Sequence, residues 1–294
     1  MVENYGRENH TVAALIDLTK SFDCVNHDIM LSKLSHYGIQ NVALDWFKEY
    51  LSDRRYRVKF QDQLSSSKTT NIGVPQGSIL GPLLFLIYFD DFCSVSDTGD
   101  EILFADDATI YDSGPNYFEI IARMNLTLKK ISKWLVANKL TANIIKTEGM
   151  IFSKVNVIYP LPPLKLYGKP LSFSTTFKLL GLTLDSKLTW KDHLSTIESK
   201  LSRACGVLYS LRRKITRSVA RVIYMSIVYP HLLYGNILWS AASKSHLDKL
   251  FVKQKKVIRI LMKKTRNAHT NPLFDQLNLL KIKDICKVNT IIYI

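Results

Sequence analysis

Two hydrophobic segments that end in aspartate limit the possible folds of this chain more than any other sequence feature. Residues 11–18 (TVAALIDL) form a continuous apolar run with Asp17 near its end, which predicts a buried strand. Residues 101–111 (EILFADDATIY) predict two short strands that meet near Asp106 and Asp107. We therefore expect an α+β domain in which these carboxylates lie at strand ends, where the buried backbone holds them rigidly.

Rigid carboxylates that converge are suited to hard cations such as Mg²⁺, which prefer oxygen ligands. Two such ions can stabilise both the attacking and the leaving oxygens of an in-line phosphoryl displacement. The competing interpretation is that Asp106 and Asp107 only form a hairpin turn, since Asp is common in turns. The strand pattern by itself leaves both interpretations open.

Charge is distributed unevenly along the 294 residues. Residues 1–150 hold 15 Lys and Arg against 19 Asp and Glu, whereas residues 151–294 hold 25 against 6, within a total of +15. A basic half joined to a slightly acidic half indicates that one part binds a polyanion such as nucleic acid, the alternative being a solvated basic surface. The 47% hydrophobic content is enough to bury a large core, which excludes disorder throughout.

The cysteines and the N-terminus indicate an intracellular protein, in the nucleus or the cytoplasm, without a membrane partner. The four cysteines are widely spaced, which excludes zinc-ligand spacing and fits a reducing compartment: Cys24, Cys93, Cys205 and Cys286. The first ten residues hold no apolar signal region. The longest apolar run, residues 79–89, is too short for the roughly 20 residues that cross a bilayer.

Helical spacing dominates the second half of the chain. The first amphipathic stripe consists of Leu194, Ile197, Leu201, Ala204, Leu208 and Leu211. A second helix is expected to end near Pro230. A third is predicted to begin with Ser245 as its N-cap and Asp248 three residues later. We expect an all-α basic bundle to follow the α+β domain from about residue 190.

Five segments, in chain order, resemble the motifs of a reverse transcriptase palm. They are IDLTKSFDCVNHDIMLSKL for motif A, GVPQGSILGPLLFLIY for motif B, ILFADDATIY for motif C, NKLTANIIKTEGMIF for motif D and FKLLGLTLDSKLTW for motif E. Nearly the whole chain is similar to the polymerases of LINE-type (non-LTR) retrotransposons of the jockey-like kind. The resemblance implies an antiparallel palm sheet with packed helices over residues 1–190 and a basic helical thumb over residues 191–294. Only 16 residues precede Asp17, so we expect the fingers region of the family to be largely absent.

By this resemblance, Asp17, Asp106 and Asp107 hold two Mg²⁺ ions, for which Mn²⁺ could substitute. Lys146 matches the motif D lysine, a catalytic proton donor to the leaving pyrophosphate, and a surface lysine is the equally weighted alternative. Phe22 matches the steric gate that excludes a ribose 2′-hydroxyl, and a core phenylalanine is the alternative.

The resemblance also implies residues that contact the nucleotide, template and primer. Gln76 and Gly77 match positions near the incoming nucleotide and the template, with plain turn chemistry as the alternative for the glycine. Leu179, Leu180 and Gly181 fall in the primer-grip turn.

Two other signals are given structural interpretations. The string YFDDF looks like a catalytic signature, but it directly follows the motif B helix. Asp90 and Asp91 are therefore interpreted as the end of that helix. His27 lies within motif A and is interpreted as a structural, hydrogen-bonding histidine.

The function implied is that of an RNA-directed DNA polymerase, which adds deoxynucleoside triphosphates to a DNA primer on an RNA template. The alternative is a catalytically inactive retrotransposon fragment that binds template–primer nucleic acid through its basic helical region. The sequence leaves the oligomeric state open.

Overall fold

The hydrophobic run before Asp17 forms the fully buried strand β1 (His10–Ile16) in the computed structural model, which describes residues 10–96, 99–157 and 160–293. The other strands are β2 (Arg54–Tyr56), β3 (Lys59–Phe60), β4 (Gln63–Leu64), β5 (Lys68–Thr70), β6 (Asp100–Phe104), β7 (Asp107–Gly114), β8 (Glu148–Phe152), β9 (Lys165–Leu166), β10 (Lys169–Pro170), β11 (Ser172–Phe173), β12 (Thr176–Leu179) and β13 (Leu182–Asp185). The main sheet has the order β11-β8-β1-β7-β6. Its neighbouring strands are antiparallel except for the parallel pair β11 and β8.

Helices accompany the strands in the first half of the chain and form most of the second half. They are α1 (His27–His36), α2 (Asn41–Leu51), α3 (Leu80–Phe89), α4 (Tyr117–Ala137), α5 (Lys191–Leu211), α6 (Arg217–Ile223), α7 (Tyr229–Leu233), α8 (Asn236–Trp239), α9 (Lys244–Leu261), α10 (Asn271–Leu277) and α11 (Ile282–Tyr293). Within the described ranges, none of them is long and apolar enough to cross a membrane. The predicted α+β fold class is confirmed, and the residues described after Trp190 form helices and no strand.

The core on one face of the main sheet is built by α4 together with β1 and β7. Asn116 caps α4, its side chain accepting a hydrogen bond from the Phe118 amide at 3.0 Å. From there the helix packs on β1 and β7. Its buried face includes Ile120, Ile121, Met124, Leu128, Ile131 and Leu135. Because β1 is hydrogen-bonded on both edges and covered by this helix, its end has little freedom to move.

The described residues divide into two compact units, with the boundary between Thr175 and Thr176. We call them the sheet unit and the helical unit. The boundary assigns the β12–β13 hairpin to the helical unit, and the predicted domains 1–190 and 191–294 remain a prediction. By sequence, residues 176–294 hold 22 Lys and Arg against 6 Asp and Glu, whereas residues 1–175 hold 18 against 19. The excess positive charge therefore belongs almost entirely to the helical unit.

The helical unit is organised around the packing of α5 along α9. The predicted stripe of α5 is buried at Leu194, Ile197, Leu201, Ala204 and Leu208. Its last member, Leu211, is instead 44% exposed. The interface ends before Leu211 because α5 itself ends there, so no further turn covers its side chain.

Two predicted helix boundaries in this unit are wrong. The helix expected to end near Pro230 continues through a π-helical segment, Tyr224–Val228, into α7, which ends at Leu233. Pro230 lies in the first turn of α7, where a missing amide hydrogen bond costs little. The N-cap of α9 is Ser243 rather than Ser245, and its hydroxyl bonds to the side chains of Ser245 and His246.

The interpretation of the YFDDF string is confirmed. The motif B helix α3 ends at Phe89, and Asp90–Ser94 follow as a 3-10 turn. Asp91 accepts a hydrogen bond from Lys33 Nζ at 2.6 Å, and Asp90 accepts one from the Tyr37 hydroxyl. Both acids are therefore used to tie the end of α3 to α1.

Candidate active site

Strand register brings the three predicted carboxylates to one end of the sheet. In the antiparallel pair of β1 and β7, Ile16 lies opposite Ala108, so Asp17 comes next to the position of Asp107. Strands β6 and β7 are joined by a tight turn of Ala105 and Asp106, since Phe104 pairs with Asp107. Ala105 has a φ of 53°, a left-handed conformation that is costly for a residue with a side chain.

Negative charge dominates the electrostatic environment of these three carboxylates. Partial burial raises the pKa of Asp107, and the negative charges of Asp106 and Asp17 raise it further. The Ser21 hydroxyl donates a hydrogen bond to Asp106 Oδ2 at 2.8 Å. Among the described residues, no Lys or Arg forms an ion pair with any of the three. The cluster therefore repels itself and attracts cations.

The donor chemistry of this cluster fits a hard divalent cation, because all three side chains offer carboxyl oxygens. In the described part of the chain, however, no group of three or more His, Cys, Asp or Glu side chains is arranged so that it could hold a metal ion. The three carboxylates are thus close enough to shift the pKa of Asp107, while their oxygens do not converge on one point in this conformation.

A turn of residues 143–147 buttresses Asp17 through the backbone. The Asn143 amide donates to the Asp17 carbonyl at 2.7 Å, and the Asp17 amide donates to the Thr147 hydroxyl at 3.2 Å. Lys146 belongs to this turn, its own amide donating to the Asn143 carbonyl at 3.1 Å. The turn thus fixes the backbone of Lys146 near Asp17, while the Lys146 side chain is exposed.

Phe22 lies on a short 3-10 turn, Ser21–Asp23, directly after Asp17 in the motif A segment. Its ring stacks on Phe85 of α3, with centroids 4.5 Å apart and an interplanar angle of 25°. Phe85 is fully buried, whereas Phe22 is only partly buried. The buried ring thus supports one face of Phe22 while part of Phe22 stays accessible, an arrangement that suits a gate and also a residue at the edge of the core.

The motif B segment is tied to the motif A segment by backbone and side-chain hydrogen bonds. The Val74 amide donates to the Phe22 carbonyl at 2.9 Å, and Gln76 Nε2 donates to Asp23 Oδ1 at 2.8 Å. His27 Nε2 lies 2.9 Å from the Gly73 carbonyl, which confirms its structural interpretation. These bonds hold Gln76 close to the Phe22 turn.

Gly73 and Gly77 of this segment both adopt a positive φ, but their surroundings differ. At Gly73, a Cβ would lie 2.8 Å from the Asp23 carbonyl oxygen, and the φ is +80°. Glycine is therefore required at position 73, because the Asp23 backbone lies too close to leave room for a side chain. At Gly77 the φ is +81° and nothing lies within 4 Å of a Cβ, so the turn is open to solvent and to a ligand.

The predicted primer-grip residues form the turn of the β12–β13 hairpin in the helical unit. Leu180 and Gly181 have φ values of 46° and 82°, the pattern of a two-residue hairpin turn with both central residues left-handed. The Leu180 carbonyl accepts a hydrogen bond from the Tyr234 hydroxyl. Leu179 ends β12 and pairs with Leu182.

Sequence reasoning missed the residues that hold these groups in place. Ser21, Asp23, Asn143 and Thr147 are common polar types on loops, and no periodicity or motif distinguishes them from other surface residues. Phe85 lies in an apolar run in which every position reads as core. Only the spacing of Ser21, four residues after Asp17, could have drawn attention to it.

This chain is similar to known proteins over most of its length. The family profile described as "Reverse transcriptase (RNA-dependent DNA polymerase)" matches residues 4–184. A probable RNA-directed DNA polymerase from transposon BS of Drosophila melanogaster is 28% identical over 97% of this chain and 32% of its own length. The RNA-directed DNA polymerase from mobile element jockey of the same organism is 28% identical, over 88% of this chain and 29% of its own length. The chain thus spans about a third of the length of these curated relatives.

A solved structure that matches this chain is that of a telomerase from Candida albicans in complex with a fragment of telomeric RNA. It is 12% identical to this chain, with a TM-score of 0.46, over 92% of this chain and 51% of the telomerase chain. A telomerase from Candida tropicalis without a ligand has a TM-score of 0.45 at 12% identity.

Proposed function

Since the chain belongs to the reverse transcriptase family and its relatives are polymerases of jockey-like LINE elements, we propose that it forms the RNA-directed DNA polymerase core of a non-LTR retrotransposon. In the proposed reaction, the 3′-hydroxyl of a DNA primer attacks the α-phosphate of a deoxynucleoside triphosphate on an RNA template, and pyrophosphate leaves. The supporting observation is the strand register that puts Asp17 beside Asp107, next to the Asp106 turn and without a cationic partner.

The family generally uses divalent metals, and we propose that Asp17, Asp106 and Asp107 hold Mg²⁺ in this chain. Such ions neutralise phosphate charge and make the attacking hydroxyl more acidic. The protein's own part is to hold the three carboxyl groups together at one end of β1. The Ser21 hydroxyl and the 143–147 turn contribute by restricting Asp106 and Asp17.

Two further side chains are proposed to act on the nucleotide. Phe22, supported from behind by Phe85, would exclude a 2′-hydroxyl by contact, because its ring cannot retreat into the filled core. Lys146 would donate a proton to the departing pyrophosphate from the turn that buttresses Asp17. Its side chain is exposed and therefore accessible to a bound nucleotide.

The remaining residues of the proposal position the template and primer. Gln76 and Gly77 would contact the incoming nucleotide and template from the open turn after Pro75. Leu179, Leu180 and Gly181 would support the primer strand through the β12–β13 turn. The basic helical unit would bind the phosphate backbone of the duplex. No described feature favours the inactive-fragment alternative, since all three carboxylates are present at the sheet end.

A primer-extension assay on an RNA template with Mg²⁺ tests this proposal. We expect the wild-type chain to extend the primer and Asp106→Asn to lose extension. Asp90→Asn is the matched control, because Asp90 belongs to the similar-looking YFDDF string but binds Tyr37 at the end of α3. Equal incorporation by the wild type and Asp106→Asn would reject the proposal.

The same proposal places the protein inside the cell, with the element RNA in the nucleus or the cytoplasm. All four cysteines are free thiols, as expected in a reducing compartment. Imaging of a tagged full chain together with its RNA tests this location.

A further inference from the structure

A cavity of about 550 Å³ lies in the helical unit between the end of α5 and the second half of α9, and we call it the Tyr209 cavity. Four cationic side chains line it: Lys256 and Arg259 on α9, and Lys264 and Arg266 on the segment that follows. Its remaining wall includes Tyr209, Val252 and Ile260. Its volume lies within the range of about 300–1,000 Å³ that is usual for ligand sites.

The positive charge of this cavity is uncompensated. Its lining contains no Asp or Glu. Elsewhere in the same unit, Lys253 pairs with Glu198 at 3.4 Å and Lys283 pairs with Asp248 at 2.9 Å. Among the described residues, none of the four cavity cations has such an ion pair. Their mutual repulsion is relieved if an anion enters.

One of the four cations is held in place by the backbone. Arg259 Nε donates a hydrogen bond to the Ala268 carbonyl at 2.9 Å. This bond ties the segment that contains Lys264 and Arg266 to α9. The wall that carries these cations is therefore fixed to the helix, while the Lys256, Lys264 and Arg266 side chains stay exposed for a ligand.

An aromatic ring lies beside this cationic cluster. Tyr209 is 57% exposed, and the Arg212 guanidinium lies 3.5 Å from its ring centroid. Arg212 Nη1 also donates to the Tyr209 carbonyl at 2.7 Å, so the guanidinium covers one side of the ring and fixes it. Val252, on the same wall, is 55% exposed. An exposed aromatic wall beside uncompensated cations matches a ligand that is flat at one end and anionic at the other.

We propose that the Tyr209 cavity binds an unpaired nucleotide of single-stranded RNA, with its base against Tyr209 and Val252 and its phosphates against the four cations. Unpaired bases stack on aromatic side chains, whereas the bases of a duplex stay stacked on one another. A duplex would therefore offer this site its phosphates only. The choice of RNA rests on the proposed polymerase function, in which the template has an unpaired strand.

Fluorescence anisotropy with the full chain tests this proposal, using a labelled single-stranded oligouridine RNA and a blunt RNA–DNA duplex with the same number of phosphates. We expect Tyr209→Leu to weaken binding of the single strand about tenfold and to leave duplex binding unchanged. Equal losses on both probes, or no loss on the single strand, would overturn the proposal. Because Tyr209 is exposed, circular dichroism of the variant should match the wild type.

The contribution of the cavity cations is tested by the salt dependence of RNA binding. Replacing Lys264 and Arg266 by glutamine should make the slope of log K against log salt shallower by about 1.4 for the single strand. Lys244→Gln with Lys249→Gln is the matched control, because both lysines are exposed on the first half of α9, outside the cavity. An equal change in this slope for the control pair would indicate binding by a diffuse basic surface and would overturn the proposed site.

These binding assays contain no nucleotide triphosphate, so they do not depend on polymerisation. Tyr209-dependent binding by a chain that extends no primer would reject the proposed function and support the cavity. Primer extension with no Tyr209-dependent binding would reject the cavity alone.

Discussion

The two units of this protein use charge in opposite ways. The sheet unit is close to neutral by residue count, but at the end of β1 it concentrates three carboxylates that form no ion pair with a described Lys or Arg. The helical unit has a large positive excess, and four of its cations around the Tyr209 cavity form no ion pair with a described Asp or Glu. In each unit the functional candidate is the place where like charges are kept together, which shows that net charge by itself does not locate a site.

The cores of the two units differ as well. The sheet unit buries an apolar strand between two neighbours and a helix. The helical unit contains a fully buried amide, Gln254, in its centre. Gln254 Nε2 donates to the Tyr224 hydroxyl at 2.7 Å and to the Leu280 carbonyl at 3.0 Å, and its Oε1 accepts from the Ile282 amide at 2.9 Å. These bonds fix the position of the first residue of α11 against the middle of α9.

The prediction with the largest expected effect distinguishes a loss of catalysis from a loss of nucleic-acid binding. If Asp17 is a metal ligand as proposed, Asp17→Asn in the sheet unit should lower primer extension at least about a hundredfold, because such a ligand contributes several kcal/mol to a phosphoryl transfer. Binding of the template–primer duplex, measured by anisotropy, should stay within about twofold of the wild type because a removed negative charge does not weaken a polyanion complex. A parallel loss of binding would mean that Asp17 supports the fold rather than the reaction.

The next effect concerns the polar core of the helical unit. Gln254→Leu should lower the free energy of unfolding by about 3 kcal/mol, since it leaves the Ile282 amide buried without a partner and removes the part-buried hydrogen bond to the Leu280 carbonyl. Burial also raises the pKa of Tyr224 to about 12, and its hydroxyl would lose the Gln254 bond. Urea denaturation measures the change. Lys249→Leu, on an exposed face of the same helix, should stay within about 0.5 kcal/mol of the wild type.

A smaller effect tests the support of the proposed gate in the sheet unit. Phe85→Leu should reduce the preference for deoxynucleotides over ribonucleotides by about threefold to tenfold, because the stack that holds Phe22 is lost. The ratio of kcat/KM for the two nucleotides measures it. Phe89→Leu is the control, since Phe89 stacks on Phe85 from the same helix and is also buried. An unchanged ratio in Phe85→Leu would show that Phe22 needs no support or is no gate.

The smallest effect concerns the repulsion among the carboxylates. Because the pKa of Asp107 is raised, the folded chain keeps this proton to a higher pH than the unfolded chain. The free energy of unfolding therefore falls as the pH rises from the pKa of Asp107 in the unfolded chain through its raised pKa in the folded chain. Asp107→Asn should raise the melting temperature by about 1 °C at pH 7 without divalent metal, since partial exposure screens the repulsion.

This gain should disappear near pH 3, below the ordinary pKa of about 3.9 for Asp. Asp62→Asn, in the β3–β4 turn, provides the control for loss of a negative charge elsewhere. A gain that persists at low pH would mean that the asparagine packs better, rather than that repulsion is removed.

The sequence predicted the elements whose cause is local. The apolar run of β1, the hairpin at Asp106 and the long helix α4 follow from periodicity and turn chemistry, and all of them are present. The carboxylates of the candidate site were found for the same reason, since a strand end marks each of them. The predicted helix end near Pro230 failed because a proline is tolerated in a first turn, and only the neighbouring π-helical segment placed it there.

By itself, the sequence determined the α+β class, the order of the motifs and the separation of an acidic site from a basic bundle, because hydrophobic period and charge are properties of the chain. The tertiary structure decided which groups meet. Ser21 on Asp106, Phe85 behind Phe22, Thr147 on Asp17 and Arg212 over Tyr209 are brought together by packing. Most of these partners are distant in sequence, and they are common residue types without a pattern of their own, so only the register of the strands and the packing of the helices assign them to a site.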